Sequence, residues 1–508
     1  PLNLFETDPA LREALEREGG GWGQECAREA GQIAGSVHAR EHARRAERNP
    51  PILHTHDRYG NRIDQVELDP SWHWLLSGAI ARGIAGLPWR EQTAGGHVVR
   101  AALFTLWGQL DDGVMCPVSM TYAAVPAIRD VSPALAAEWE PRLTSYGYAD
   151  GSAALAGMAM TERQGGSDVR ANITRAHPIG DGLYELHGHK WFCSYPPCDI
   201  FLVLAQADAG LSCFLVERGP GMEFQRLKDK LGTRSLPSAE VEFHGAVGHL
   251  LGEEGRGVQT ILRMVNHTRL DCILGSTASY RRGTVEAIHH SRHRRAFGSL
   301  LVDQPLMRNV LADLAIDSEA ATVSALRIAR AYDEGAEVQD FRRFGTAVMK
   351  YWICKRAGAH VGEALECLGG NGFVEDSGMP ALYRGAPVNS VWEGSGNVAA
   401  LDVLRAMVRE PQGVAAFIAE CELARGGNRF LDAHLDRLRE LAPDEFGARR
   451  IVEDLALALQ ASLLVRHSPP AVADAFCAAR LGDEGGRAYG TLPAGADAAA
   501  IIERAFPV

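Results

Sequence analysis

DGLYELHGHK, residues 181–190, decides how the rest of this chain is read. Asp181-Gly182 is a turn signal, and the residues after it run into a short strand. Three further stretches, 200–205, 211–216 and 239–243, are also short and rich in branched and aromatic residues, and Gly, Pro and Asp bound them. That pattern over residues 155–250 predicts antiparallel strands in a small sheet or barrel. Outward from this island the period changes. Residues 9–48 and 71–147 read as helical, with Leu75, Leu76, Ile80 and Ile84, then Val98, Ala101, Leu103 and Leu106, near helical spacing. A joint containing Pro and Gly, at 49–69, separates those two blocks.

Beyond residue 255 four long helices are expected, at 257–292, 305–334, 341–368 and 396–408. In the second, Leu306, Val310, Leu314, Val323, Leu326 and Ile328 mark an apolar face, and four such helices imply a bundle. Shorter helices are expected at 413–424, 430–441, 446–465 and 470–481; the short tract AGADAAA near the end carries no assignment. The fold class is therefore α+β. A helical segment spans 1–152, a middle antiparallel β segment 153–254, a helical bundle 255–408 and an extra helical region 409–508. Strands and helices do not alternate, and no G-x-G-x-x-G follows a strand, so this is not a Rossmann chain.

Bulk properties narrow the function. A chain of 508 residues with 46% hydrophobic and 23% charged residues has ordinary globular composition and room for about three domains. A net charge of −12 argues against a protein built mainly to coat nucleic acid. The ten cysteines form no C-x-x-C pair and do not cluster with His at zinc spacing, so reduced buried thiols and no metal are expected. The sequence starts without a signal-peptide pattern, and no apolar run approaches the ~18 residues that span a bilayer, so a soluble cytoplasmic protein is expected.

Five segments could carry chemistry. Residues 160–168, MTERQGGSD, combine two glycines with the hydroxyls of Thr161 and Ser167, a loop able to present donors to a heterocycle and a phosphate or merely to turn. Trp191, in KWFCS, is either core or a wall for a planar ring. Residues 289–295 cluster His and Arg, as a solvated helix end or a pyrophosphate clamp. Residues 368–373, LGGNGF, are either a helix stop or a place of close backbone approach. Glu393, in VWEGSGN, opens a helix; it is either an acidic residue favoured by the helix dipole or a carboxylate desolvated beside Trp392 as a base.

Taken in order, MTERQGGSDV, HKWFCS, RRAFG, CLGGNGF and WEGSGN resemble the flavin-binding and catalytic segments of the acyl-CoA dehydrogenase superfamily. PVSMTYAAVP, LKDKLGTRS, TRLDCILGS, QPLMRNVL and APVNSVWEGSGNVAALDVLR are similar to its AidB-type, alkylation-response branch. The resemblance covers nearly the whole chain. It implies FAD as cofactor, with Thr161 near the flavin N5, Ser167 at the pyrophosphate and Trp191 beside the isoalloxazine. Met160, Gly166 and Ser194 belong to the same set. Cys193 stands where ordinary dehydrogenases carry a Thr contacting the flavin, which puts that side-chain bond in doubt. Arg294 is the matching pyrophosphate arginine and Gln304 a weaker match.

The resemblance also implies that Gly369, Gly370 and Asn371 meet the ADP half of an FAD held by a neighbouring subunit, hence a homo-oligomer, a tetramer. Gly394, Ser395 and Asn397 contact the flavin, Arg269 and Asp271 lie on the helix lining the substrate pocket, and Glu393 is the α-proton base. Electrons would pass to an electron-transfer flavoprotein or to O₂.

Three functions follow as expectations: oxidation of an acyl-CoA; oxidation of a small amine, hydrazine or nitro compound; or DNA-associated protection against alkylation. The last would favour a basic C-terminal region, yet residues 409–508 carry 11 Arg, no Lys and 15 acidic residues. Arg437, Arg439, Arg449 and Arg450 could still form a local stripe. His267, Asp271 and Cys272 are unusual company for a fatty acyl chain, although such residues on a helix are often ordinary hydrogen-bonded ones.

Overall fold

The structure, a computed structural model, describes residues 2–482 and 484–507. Residues 1 and 508, the outer ends of the first and last segments, lie outside the described residues, as does 483. Contacts divide the chain into two compact units: one comprises Val37–Thr93 and Leu110–Thr268, the other Pro1–Ser36, Ala94–Gln109 and Arg269–Val508. The division falls inside a single long helix, Gly257–His293.

A short two-stranded hairpin lies in the larger unit, and the smaller unit holds the other strands. These are β1 (Ile52–His56), β2 (Arg62–Glu67), β3 (Ala156–Ala159), β4 (Arg175–Gly180), β5 (Leu183–Ser194), β6 (Ile200–Ala207), β7 (Gly210–Glu217), β8 (Met222–Leu227) and β9 (Ser238–Leu250). In the main sheet β6, β4, β5, β9 and β7 pair in turn, and β7 pairs back onto β6, so the ring closes. Closure leaves no bare edge among these five strands. β3 adds to β6 and β8 to β9. Residues 200–205 of β6 are fully buried, as their unbroken apolar run requires.

Two features depart from the sequence reading. The sheet is not wholly antiparallel, because β3–β6 and β4–β6 pair in parallel. β4 and β5 intervene between β3 and β6, and β5 between β4 and β6, which supplies the crossover length that parallel pairing needs. The 49–69 joint is a hairpin, β1–β2. Its strands have no buried residue, so no apolar alternation announced it.

The larger unit is helical. Its centre is the helix Pro305–Asp333, against which the helices Pro9–Leu15, Gly96–Gly108, Gln339–Cys367, Ala448–His467 and Ala498–Ala505 all pack. Every residue of Gly96–Gly108 is buried, which suits a helix apolar almost all round. The one charge in it, Arg100, is answered by Asp271, with Nη1–Oδ1 2.5 Å and Nη2–Oδ2 2.7 Å and both side chains inaccessible. Gly396–Arg409 packs on Gln339–Cys367. The expected bundle helices fall within a few residues of their predicted bounds. The C-terminal region contains one helix that the sequence reading left out, Ala498–Ala505, with Asp497 capping its N-terminus.

Candidate active site

In the smaller unit, the loop after β3 is fixed from below. Thr161 O accepts from Trp191 N at 2.8 Å, which ties the loop to β5, and Met160 O accepts from Asn172 Nδ2 at 2.9 Å. Beneath them lies the ion pair of Glu162 and Lys190 (2.8 Å), both side chains fully buried. Glu162 also accepts from Ile173 N (2.7 Å), Thr174 N (3.1 Å) and Gln164 Nε2 (2.9 Å), while Lys190 donates to Leu204 O (2.6 Å). Burial pushes the Glu162 carboxyl up, but Lys190 and these donors outweigh it and hold it at about 2. Burial lowers the Lys190 ammonium to about 8, still charged at neutral pH.

With its root fixed, the loop turns its tip outward. Gly166, Ser167 and Asp168 are exposed. A Cβ on Gly166 would lie 2.3 Å from Thr161 Oγ1, so this glycine is needed for the loop to fold over the hydroxyl. The Trp191 ring is half-buried, with Lys228 Nζ 3.2 Å from its centroid. Cys193 points inward: it is fully buried, and burial pushes its thiol up to about 12. Ser194 ends β5, opposite Ser238.

In the larger unit, Glu393 sits at a corner between a short helical turn, Val388–Ser390, and the helix Gly396–Arg409. Its φ is +56°, and that of Gly394 is +104°. A left-handed conformation at a non-glycine residue persists only where the surroundings impose it. Here they do. Lys350 Nζ donates to Trp392 O (2.8 Å) and Gly394 O (2.5 Å), and Arg269 Nε donates to Glu393 O (3.0 Å). Arg269 is itself paired with Asp402 (2.8 Å), which also accepts from Arg343 (2.8 Å). Burial raises the Asp402 carboxyl, and the two arginines more than offset that, so it lies below its ordinary value.

The remaining expected residues are placed as follows, all in the larger unit. Arg294 is exposed, and among the described residues no carboxylate lies within ion-pair distance of it. Gln304 donates to Ala296 O (3.2 Å) and Ser299 Oγ (2.7 Å), bracing the hairpin that follows Arg294. Gly369, Gly370 and Asn371 form an exposed turn, and nothing lies within 4 Å of where a Cβ of either glycine would stand. Ser395 caps the Gly396–Arg409 helix through its backbone, and Asn397 Oδ1 accepts from Arg449 Nε at 2.9 Å. Arg269 and Asp271, expected at the substrate, are engaged with Glu393 O and Asp402 and with Arg100 respectively.

Sequence reasoning missed Lys350, Asp402, Arg100 and the Glu162–Lys190 pair. A signal existed for Lys350: it interrupts the apolar run AVMKYWIC, where an unused charge would be costly.

The profile described as "Adaptive response protein AidB N-terminal domain" matches residues 1–150, the acyl-CoA dehydrogenase middle domain matches 157–246, and the acyl-CoA dehydrogenase C-terminal domain matches 255–408. The chain is 42% identical over 503 residues to the AidB protein of Escherichia coli (strain K12), covering 95% of this chain and 93% of that one. The Caenorhabditis elegans ACDH-11 structure in complex with C11-CoA superposes with a TM-score of 0.88 at 29% identity, over 94% of this chain and 90% of that one. A Bacillus anthracis acyl-CoA dehydrogenase complexed with FAD shares the fold, with a TM-score of 0.71 at 17% identity, over 90% of this chain and 85% of that one.

The chain belongs to the acyl-CoA dehydrogenase family, and within it to the AidB type. It is thus a flavin-dependent oxidoreductase by family, and FAD is the cofactor that goes with it. The residues present fit that group. Each unit taken by itself offers features that suit an anionic dinucleotide: the Gly166 cradle in the smaller, and in the larger the open backbone at Gly369 and Gly370 and an exposed arginine free of acidic partners. Among the described residues no helix is long and apolar enough to cross a membrane.

Proposed function

We propose that this chain oxidises an acyl-CoA thioester, with Glu393 as the base that removes the proton next to the thioester carbonyl. The observation that carries the reading is the left-handed corner at Glu393, held by two cations, which fixes the backbone that carries this carboxylate. The likeness to a structure bound to C11-CoA supports the substrate class.

Bound FAD supplies the hydride acceptor. The chain's own groups bind, orient and move the proton. Thr161 and Ser167 offer hydroxyls to the cofactor, with Met160, Gly166, Cys193 and Ser194 shaping their surroundings, and Trp191 walls it. Arg294 pairs with the pyrophosphate on a hairpin braced by Gln304. Gly369, Gly370 and Asn371 serve the cofactor of another copy in a homotetramer, and Gly394, Ser395 and Asn397 line the flavin side of the corner. Arg269 acts through the backbone of Glu393, and Asp271 anchors Arg100. The four consecutive segments divide the labour accordingly. Electron-transfer flavoprotein or O₂ takes the electrons. All ten cysteines are free, which supports a reducing, cytoplasmic setting.

Anaerobic addition of a panel of acyl-CoAs, small amines, hydrazines and nitro compounds to the holoenzyme, followed by flavin absorbance, tests this reading. Bleaching by acyl-CoAs is expected, and its loss with FAD retained in Glu393→Gln. Bleaching by an amine, hydrazine or nitro compound alone would overturn it. DNA binding by region 409–508 loses support from the partners of its arginines. Arg425 and Arg439 pair with Glu422, Arg437 contacts His434, and Arg449 contacts Asn397. A salt-titrated mobility shift showing strong binding at low salt would restore it.

A further inference from the structure

Lys350 lies in the middle of the helix Gln339–Cys367, and its side chain is buried. An ammonium there is costly to desolvate unless acceptors surround it. The acceptors are not side chains on its own helix. They are the carbonyls of Trp392 and Gly394, one on each side of Glu393. The carbonyl between them, of Glu393 itself, is taken by Arg269. Three successive carbonyls are therefore each met by a cation.

This arrangement follows from the backbone. Two consecutive positive φ values, at Glu393 and Gly394, turn the chain sharply at the corner. The carbonyls of Trp392 and Gly394 converge on one ammonium, where their dipoles repel one another, and the left-handed conformation at Glu393 adds about 1–2 kcal/mol of steric cost. A buried cation reaching the first and third carbonyls offsets both, because it gains most when the corner is fully turned. It also holds a buried positive charge on the two residues that flank Glu393, and a cation near a carboxylate favours the ionised form that accepts a proton.

We propose that Lys350 is the positioning residue for Glu393: by tying the carbonyls of Trp392 and Gly394 it keeps the corner left-handed and the carboxylate in its working place and charge state. This rests on the reading of Glu393 as the base of an acyl-CoA oxidation. Lys350 touches no reacting atom; it acts through the backbone.

The test uses the FAD-loaded full chain as wild type, Lys350→Met and Lys350→Arg. The first measurement is stopped-flow flavin reduction by a saturating acyl-CoA across pH. Lys350→Met is expected to reduce flavin roughly 10- to 100-fold more slowly. Its pH midpoint moves upward by about one unit as the nearby charge is lost. Lys350→Arg keeps the charge, so its midpoint stays in place while the rate recovers in part. The second measurement is hydrogen–deuterium exchange of the peptide over residues 388–398, which needs no substrate. Exchange there should be at least about tenfold faster in Lys350→Met.

Wild-type rate, midpoint and exchange in Lys350→Met would overturn the proposal. So would a Lys350→Arg protein whose midpoint moves as far as a charge loss predicts, which decides the matter if Lys350→Met does not fold. Failure of every acyl-CoA to bleach the wild type would instead sink the assignment of the reaction, and the exchange result would still judge the role of Lys350 at the corner.

Discussion

Lys190→Met removes the ammonium that pairs with Glu162 beneath the loop that follows β3. Both side chains are fully buried, so the carboxylate left behind cannot turn to water. Breaking one partner of such a pair costs about 3–5 kcal/mol. Three donors remain on Glu162, from Ile173 N, Thr174 N and Gln164 Nε2, and they hold the loss towards the lower end of that range. The carbonyl of Leu204 loses its donor as well, which adds about 1 kcal/mol. Glu162→Gln combined with Lys190→Met removes both charges, so the double variant should be more stable than the sum of the single losses by at least about 2 kcal/mol. Urea unfolding followed by tryptophan fluorescence measures these differences, and FAD absorbance after gel filtration reads the loop above. A loss below about 1 kcal/mol in Lys190→Met, or strict additivity in the cycle, would refute the reasoning.

Three further outcomes are expected. The Glu162 carboxyl sits at about 2 in the folded chain against 4.5 ordinarily, so the unfolded chain binds more protons between those values; its stabilisation is complete above about pH 4.5 and is lost as pH falls towards 2. Urea midpoints taken down that range should therefore fall less steeply in Glu162→Gln than in wild type. Gly166→Ala drives a methyl against Thr161 Oγ1, so FAD should bind at least about tenfold more weakly by fluorescence titration, while Gly370→Ala, with open space around it, should leave the melting temperature unchanged. Tyr489→Phe deletes a hydroxyl that donates to Asp317 (2.9 Å) and accepts from Arg356 (3.0 Å); a thermal melt should show a loss of about 1–3 kcal/mol because both partners are buried or half-buried.

Much of the fold was legible because its signals are local. The strands at 200–205 and 211–216 and the four long helices follow from period and composition, and each turns up within a few residues of its place. The hairpin Ile52–His56 with Arg62–Glu67 was not legible. Its side chains, His54, His56, Arg62 and Asp64 among them, bury no face and so leave no alternation. The helix Ala498–Ala505 was hidden in an alanine-rich tract, and it is tertiary packing, chiefly on Pro305–Asp333, that makes it stable.

The site divides the same way. The order of MTERQGGSD, KWFCS, LGGNGF and WEGSGN along the chain determined by itself that a flavin family was in view and that Glu393 was the carboxylate to watch. Family membership then followed from similarity over nearly the whole length. Only the tertiary structure decided what Arg269, Asp271 and Lys350 do. Arg100 meets Asp271 from 171 residues away, and Lys350 reaches the backbone of Gly394 across 44. Such partners are chosen by which buried charges and carbonyls come together when helices pack. A buried charge must be answered by whatever lies beside it in space, and sequence spacing carries no record of that neighbour.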